Sequence, residues 1–205
     1  MKVLLLVLAC LALCAQTPPE EGPPVKLNLE NQPSFGPANA SVTVVEFGDF
    51  ECPSCRAEWP VIRQLLPDLF PNKLRIVFKD YPLESIHPWA RAASIAARCV
   101  FRQNPQAFWK FYDWDYNNQD DLNGENLKSK VLGWAASNGL SSAQLETCID
   151  TKATDAEVQA NINEGKAAGV RGTPTLFVNG KKSATVQPAG LQEMIQKELD
   201  AHGAR

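Results

Sequence analysis

Cys52-Pro53-Ser54-Cys55 places two thiols two residues apart in a chain of 205 residues. That spacing serves either half of a zinc site or a redox dithiol. The zinc account needs two further ligands at matching spacing. No second such pair exists, and the two histidines, His87 and His202, stand isolated. No metal is therefore expected. The dithiol account needs a thiolate, because the thiolate is both the attacking group and the good leaving group. Cys52 sits at a strand-to-helix junction, with Pro53 suited to the first turn of the helix. The unpaired N–H groups and dipole of a helix start stabilise a thiolate there. Cys55, one turn on, is expected to face inward and resolve a mixed disulfide, with Ser54 placed to donate a hydrogen bond to the thiolate. The competing account is an inert disulfide closing a tight loop.

The cysteine count bears on compartment. Met1-Lys2 followed by the apolar run Val3–Ala15 and the Pro-rich 16–24 has the anatomy of a secretory signal and a tether. Residues 1–15 are expected to be the signal and 16–34 a Pro-rich linker with an edge strand over Val25–Leu29. Val7-Leu8-Ala9-Cys10 also loosely matches a lipidation box. Export lets disulfides persist. With Cys10 and Cys14 in the signal, four cysteines allow three pairings. The short spacing makes Cys52 and Cys55 a local pair and leaves Cys99 to Cys148. Net charge −3 with interspersed signs carries no nucleic-acid footprint. Nothing after residue 15 is apolar for long enough to span a bilayer.

The elements that must position the dithiol are legible from periodicity. Ser41–Phe47 is dense in β-branched residues and predicts a buried central strand. A helix follows from Pro53 to Leu69, kinked at Pro60, and Leu74–Lys79 completes a parallel strand–helix–strand unit. Helical segments are predicted at Pro88–Arg102, Pro105–Tyr116, Gly124–Asn138, Ser141–Ile149 and Lys152–Ala168. Phe108, Phe111 and Tyr112 share one helical face and read as core. Thr175–Val178 returns to strand, Asn179-Gly180 is a hairpin turn, Ser183–Gln187 the returning strand, and Ala189–Ala201 a closing amphipathic helix. Glu46 interrupts the apolar strand six residues before Cys52. It is either an acid serving the dithiol or a strand-end carboxylate paired with Arg75 or Lys79.

Phe47-Gly48-Asp49-Phe50-Glu51-Cys52-Pro53-Ser54-Cys55, with Lys79-Asp80-Tyr81-Pro82-Leu83, His87-Pro88-Trp89-Ala90 and Arg171-Gly172-Thr173-Pro174-Thr175-Leu176-Phe177-Val178-Asn179-Gly180, resembles the DsbA-like thiol:disulfide interchange proteins. The resemblance runs from about residue 35 to 199. It implies an α/β, thioredoxin-like fold: a central mixed β-sheet flanked by helices, with core segments at about 35–86 and 167–202 and an inserted helical domain at about 87–166. It implies that Pro174 is cis, that Thr173 and Pro174 bind an extended substrate chain, and that Glu46 is the buried acid beneath the dithiol. Similar proteins carry a second cysteine pair in the helical block, so Cys99–Cys148 is expected to be a structural disulfide, against two unpaired thiols or a second redox pair.

The implied activity is thiol–disulfide exchange on unfolded or reduced exported proteins in the periplasm. The redox-active Cys52–Cys55 disulfide serves it without any cofactor, and a quinone-linked membrane partner re-oxidises a monomer. Ser54 stands where the best-known enterobacterial relative has histidine, which gives less stabilisation of the thiolate. The alternatives are a reductase or isomerase, and a redox-inactive binding module or chaperone of the same fold.

Overall fold

The structure is a computed structural model and describes residues 23–203. The expected signal, its two cysteines and the lipidation box lie outside the described residues. Among these, no helix is long and apolar enough to cross a membrane.

Five strands form one mixed sheet: β1 (Ser34–Phe35), β2 (Val42–Gly48), β3 (Leu74–Asp80), β4 (Thr175–Val178) and β5 (Lys181–Lys182), in the order β1-β3-β2-β4-β5. β2 is central and buried along almost its whole length, as its run of Val and Phe on both faces requires. It pairs in parallel with β3 and antiparallel with β4. This is the α/β architecture with a central mixed sheet that the resemblance implies.

Between β2 and β3 run α1 (Pro53–Pro60), a π-helical turn (Val61–Leu65) and α2 (Leu66–Leu69). The predicted single helix thus opens after Pro60 rather than simply bending. Proline has no N–H to continue the ladder and its ring crowds the carbonyl four residues back, so the next turn widens until Leu66 N–H reaches Val61 O. Five α-helices lie in the chain between β3 and β4: α3 (Ala90–Gln103), α4 (Pro105–Asn118), α5 (Leu127–Ser137), α6 (Ser142–Asp150) and α7 (Asp155–Ala167). The Asn104 side chain accepts from Gln106 N–H and starts α4, and the Ser141 hydroxyl accepts from Gln144 N–H to start α6. A final helix, α8 (Pro188–Gly203), lays Leu191, Met194 and Ile195 on the sheet.

A disulfide joins Cys99 of α3 to Cys148 of α6, across 49 residues of sequence. Closing a loop of that length restricts the unfolded chain, so replacing both cysteines by alanine should lower stability by about 2–4 kcal/mol. Urea unfolding of the two proteins measures the difference, and an unchanged midpoint would refute it.

Two expectations fail at the margins of the sheet. Val25–Leu29 is not an edge strand, because groups from elsewhere in the chain, rather than a ladder, take up its backbone. Lys79 Nζ donates to Asn28 O (2.7 Å), Asn28 N donates to Glu164 Oε1 (2.5 Å), and Val25 N donates to Gly180 O (2.8 Å). The edge is formed by β1 instead, antiparallel to β3. The returning strand is Lys181–Lys182, not Ser183–Gln187. Asn179 and Gly180 both adopt positive φ, which makes a two-residue turn. Such a turn pairs its immediate flanks, here Val178 with Lys181. After Lys182 the side chains of Ser183 and Thr185 bond to local backbone and divert the chain from the sheet.

Candidate active site

The site begins where the central strand ends. After Gly48 the chain turns through Asp49–Glu51. Cys52 occupies the N-cap position of α1, its backbone extended (φ −76°, ψ 120°) and its N–H bonded to Asp49 O at 3.1 Å. Pro53 follows at the first helical position, so the next free N–H groups belong to Ser54 and Cys55, and both serve the Cys52 sulfur. The Cys52 thiol is lowered to about 5. The largest cause is a hydrogen bond from the Cys55 thiol, working against desolvation, and Thr173 and the two N–H groups add to it. Cys55 is fully buried. Desolvation, then Cys52, push its thiol well above the ordinary value. Neither cysteine is in a disulfide in this structure. The pair is therefore polarised, with one ready thiolate at the helix start and one protonated thiol beneath it.

Ser54 enters through its backbone N–H, while its side chain is exposed. Across from the dithiol, the Thr173–Pro174 peptide is cis and Thr173 O lies 3.4 Å from Cys52 Sγ. The Thr173 hydroxyl is buried with no protein partner, which leaves it to serve the thiolate.

Glu46 lies on β2, fully buried, and Tyr112 of α4 donates to its Oε2 at 2.8 Å. Its other oxygen has no partner. Burial raises its pKa to about 8, the Tyr112 bond opposing, with Glu58 and Cys52 adding to the rise. Neither Arg75 nor Lys79 pairs with it. Both stand opposite Thr43 and Phe47, on the other face of the alternating strand, and Lys79 bonds to Glu164 instead.

Four site residues escaped sequence reasoning. Glu58, one turn beyond Cys55 on α1, is buried with its pKa raised to about 7 by desolvation. The three-residue spacing from Cys55 was its available signal. Asp49 is fully buried and accepts from Glu51 N, Leu83 N and His87 Nδ1 (2.8, 2.8 and 2.7 Å). Asp115 of α4 is buried with both oxygens unpartnered, and desolvation drives its pKa well up. Gln119 donates to Phe50 O and Cys52 O, tying the helical block to the turn. His87 is drawn to the same turn, whereas Cys99 and Cys148 lie apart from it, between α3 and α6. The face of Phe108, Phe111 and Tyr112 packs around Phe50, directly under the turn. Among the described residues, no group of three or more His, Cys, Asp or Glu is arranged to hold a metal.

A family model described as Thioredoxin matches residues 28–197. The chain is 36% identical over 147 residues to Na(+)/H(+) antiporter NhaA 1 of Salinispora arenicola, covering 72% of this chain and 21% of that protein, so it spans about a fifth of that relative's length. It is 30% identical to the probable disulfide bond formation protein D of Bacillus cereus, over 82% of this chain and 79% of that one. Among solved structures, oxidised BdbD from Bacillus subtilis superposes with a TM-score of 0.78 at 26% identity, covering 88% of this chain and 97% of the other.

Proposed function

The chain belongs to the thioredoxin family, and from that premise we propose that it is a thiol–disulfide oxidoreductase that introduces disulfide bonds into exported proteins. The observation that carries the reading is the asymmetry of the dithiol: Cys52 is lowered to about 5 while Cys55 is held protonated beneath it. A stabilised thiolate makes the reduced form favourable and the disulfide a strong oxidant. The similarity to the probable disulfide bond formation protein D of Bacillus cereus supports the same direction.

In the oxidised protein, a substrate thiolate attacks Cys52 Sγ and forms a substrate–Cys52 disulfide. The Cys52–Cys55 bond breaks, and Cys55 leaves as thiolate and takes up a proton. A second substrate thiolate then attacks the substrate sulfur and expels the Cys52 thiolate. The substrate dithiol loses two electrons and the protein dithiol gains them. Thr173 and cis Pro174 face an extended substrate chain, Pro53 fixes the turn, and Glu46 holds the proton that Cys55 takes up. No cofactor beyond the disulfide is required. Substrates are unfolded or reduced exported proteins, the protein acts as a monomer outside the cytoplasm, and a quinone-linked membrane partner restores the disulfide.

Equilibration with glutathione tests the reading. The expected potential is more oxidising than about −180 mV, whereas a value near the roughly −270 mV of thioredoxin would sink it.

A further inference from the structure

The CPSC turn has no cation between its cysteines, and the groups around it are acids. Asp49 and Glu51 precede Cys52, Glu46 is buried on the strand before them, and Asp115 of α4 is coupled electrostatically to Asp49 and Glu51. Arg56, the nearest basic residue along α1, is bound to Asp120 at 2.6 Å. Of these acids, the Asp49 and Glu51 carboxylates are the ones whose charge opposes a thiolate at Cys52. One residue from another part of the chain, His87, is bonded to the same turn and bears the opposite sign when protonated.

We propose that His87 is a positioning residue for the exchange reaction: held by Asp49, its ring supplies from outside the CPSC turn the positive charge that faces the Cys52 thiolate. The proposal rests on the thiol–disulfide reading above and deepens it.

The anchoring is specific. Asp49 Oδ2 accepts from His87 Nδ1 at 2.7 Å and from Leu83 N at 2.8 Å, while Oδ1 accepts from Glu51 N. A carboxylate only accepts, so Nδ1 carries a proton and the second proton of the imidazolium sits on Nε2. The same Asp49 accepts Cys52 N–H through its backbone oxygen, and Tyr116 O–H reaches that oxygen at 3.3 Å. One residue thus fixes both the backbone of the nucleophile and the ring. The segment carrying His87 is itself braced: His87 N and Ile86 N both donate to Leu83 O, and Glu51 Oε2 accepts from Trp89 N at 2.6 Å.

The His87 side chain is largely buried against the turn, so its charge acts through a poorly screened medium. Asp49 touches the ring, and the charges of Asp49, Glu51 and Cys52 all act on it. Glu84, on its own loop, is engaged by Arg91 at 2.9 Å, and burial pushes the Asp115 carboxyl well above the ordinary carboxylate range. Burial works to lower the ring's pKa. The Asp49 bond and charge overturn that, and Cys52 and Glu51 add to the rise. Coupling is reciprocal: a thiolate that favours the imidazolium is favoured by it equally.

His87→Gln keeps a donor for Asp49 and removes the charge. Thiolate absorbance against pH should show the Cys52 pKa raised by about 1 unit. The dithiol–disulfide equilibrium should move about tenfold, or roughly 30 mV, towards the disulfide. The exposed His202→Gln serves as the control and leaves both quantities unchanged. An H87Q protein with unaltered Cys52 pKa and potential overturns the proposal and makes His87 a loop anchor only. If H87Q does not fold, NMR titration of the wild-type ring decides: His87 should titrate higher with the reduced dithiol than with the Cys52–Cys55 disulfide, and equal values overturn the proposal. Neither readout uses a substrate. A wild-type potential near thioredoxin's would therefore remove the oxidase reading without touching this one.

Discussion

Cys52→Ser should abolish disulfide exchange, while Cys55→Ser should leave a protein that attacks disulfides and cannot let go. The difference follows from the polarity of the pair. At pH 7 a thiol lowered to about 5 is almost wholly thiolate, whereas one at the ordinary value of 9.0 is about 1% ionised, so Cys52 presents roughly a hundredfold more nucleophile than an ordinary cysteine. Cys55 is fully buried with its pKa raised, and it reaches only the Cys52 sulfur, which it attacks to expel the bound substrate as a thiolate. With a disulfide-bonded peptide, C55S should accumulate a stable mixed disulfide at Cys52, visible by mass spectrometry. C52S should form none and resist alkylation while folded. Equal alkylation of the two single-cysteine proteins would show that the asymmetry does not exist in solution.

Glu46→Gln should flatten the dependence of stability on pH. In the folded protein Glu46 titrates at about 8, against an ordinary value of 4.5. The native state therefore holds a proton that the unfolded chain releases. Stability from this group is complete below about pH 4.5 and is lost progressively as pH rises to about 8. The loss is on the order of 5 kcal/mol at about 1.36 kcal/mol per pKa unit. Glu58 and Asp115, also raised by burial, act in the same direction, so the decisive quantity is the difference between wild type and E46Q. Glutamine keeps an oxygen for the Tyr112 hydroxyl and does not titrate. Urea unfolding of the reduced proteins from about pH 5 to 8 should show the two curves diverging, with wild type losing ground at the alkaline end. Parallel curves would mean that Glu46 is ionised in the folded protein and unsuited to hold the proton of Cys55.

The dithiol and the acid beneath it mark where the sequence was readable. The CPSC turn could be placed because its determinants are local. β-Branched residues before it make a strand, Pro53 starts a helix, and a cysteine at that junction meets free N–H groups whatever surrounds it. The same locality made Thr175–Val178 and the Asn179–Gly180 turn legible. Glu46 stood out as an acid in an apolar strand. Only the register, which sets it opposite Phe78 and one face away from Arg75 and Lys79, decided that it has a tyrosine rather than a cation for company.

Where the outcome depended on partners distant in sequence, local pattern gave no guide. Val25–Leu29 has a strand-like composition, yet Lys79, Glu164 and Gly180, all far along the chain, claim its backbone groups. Ser183–Gln187 is likewise rich in strand formers and was released by a tight turn. Asp49 and His87 were visible in the sequence only as members of motifs, without roles, and Asp115 not at all, because a carboxylate or imidazole gains its character from burial and from the charge beside it. Both are set by how α4 and the 83–89 segment close over the turn. The sequence by itself determined that a reactive thiol sits at a helix start. Glu46 apart, the acids and the histidine gathered round that thiol follow from the packing of distant segments, since electrostatic environment depends on distance in space and the dielectric between groups.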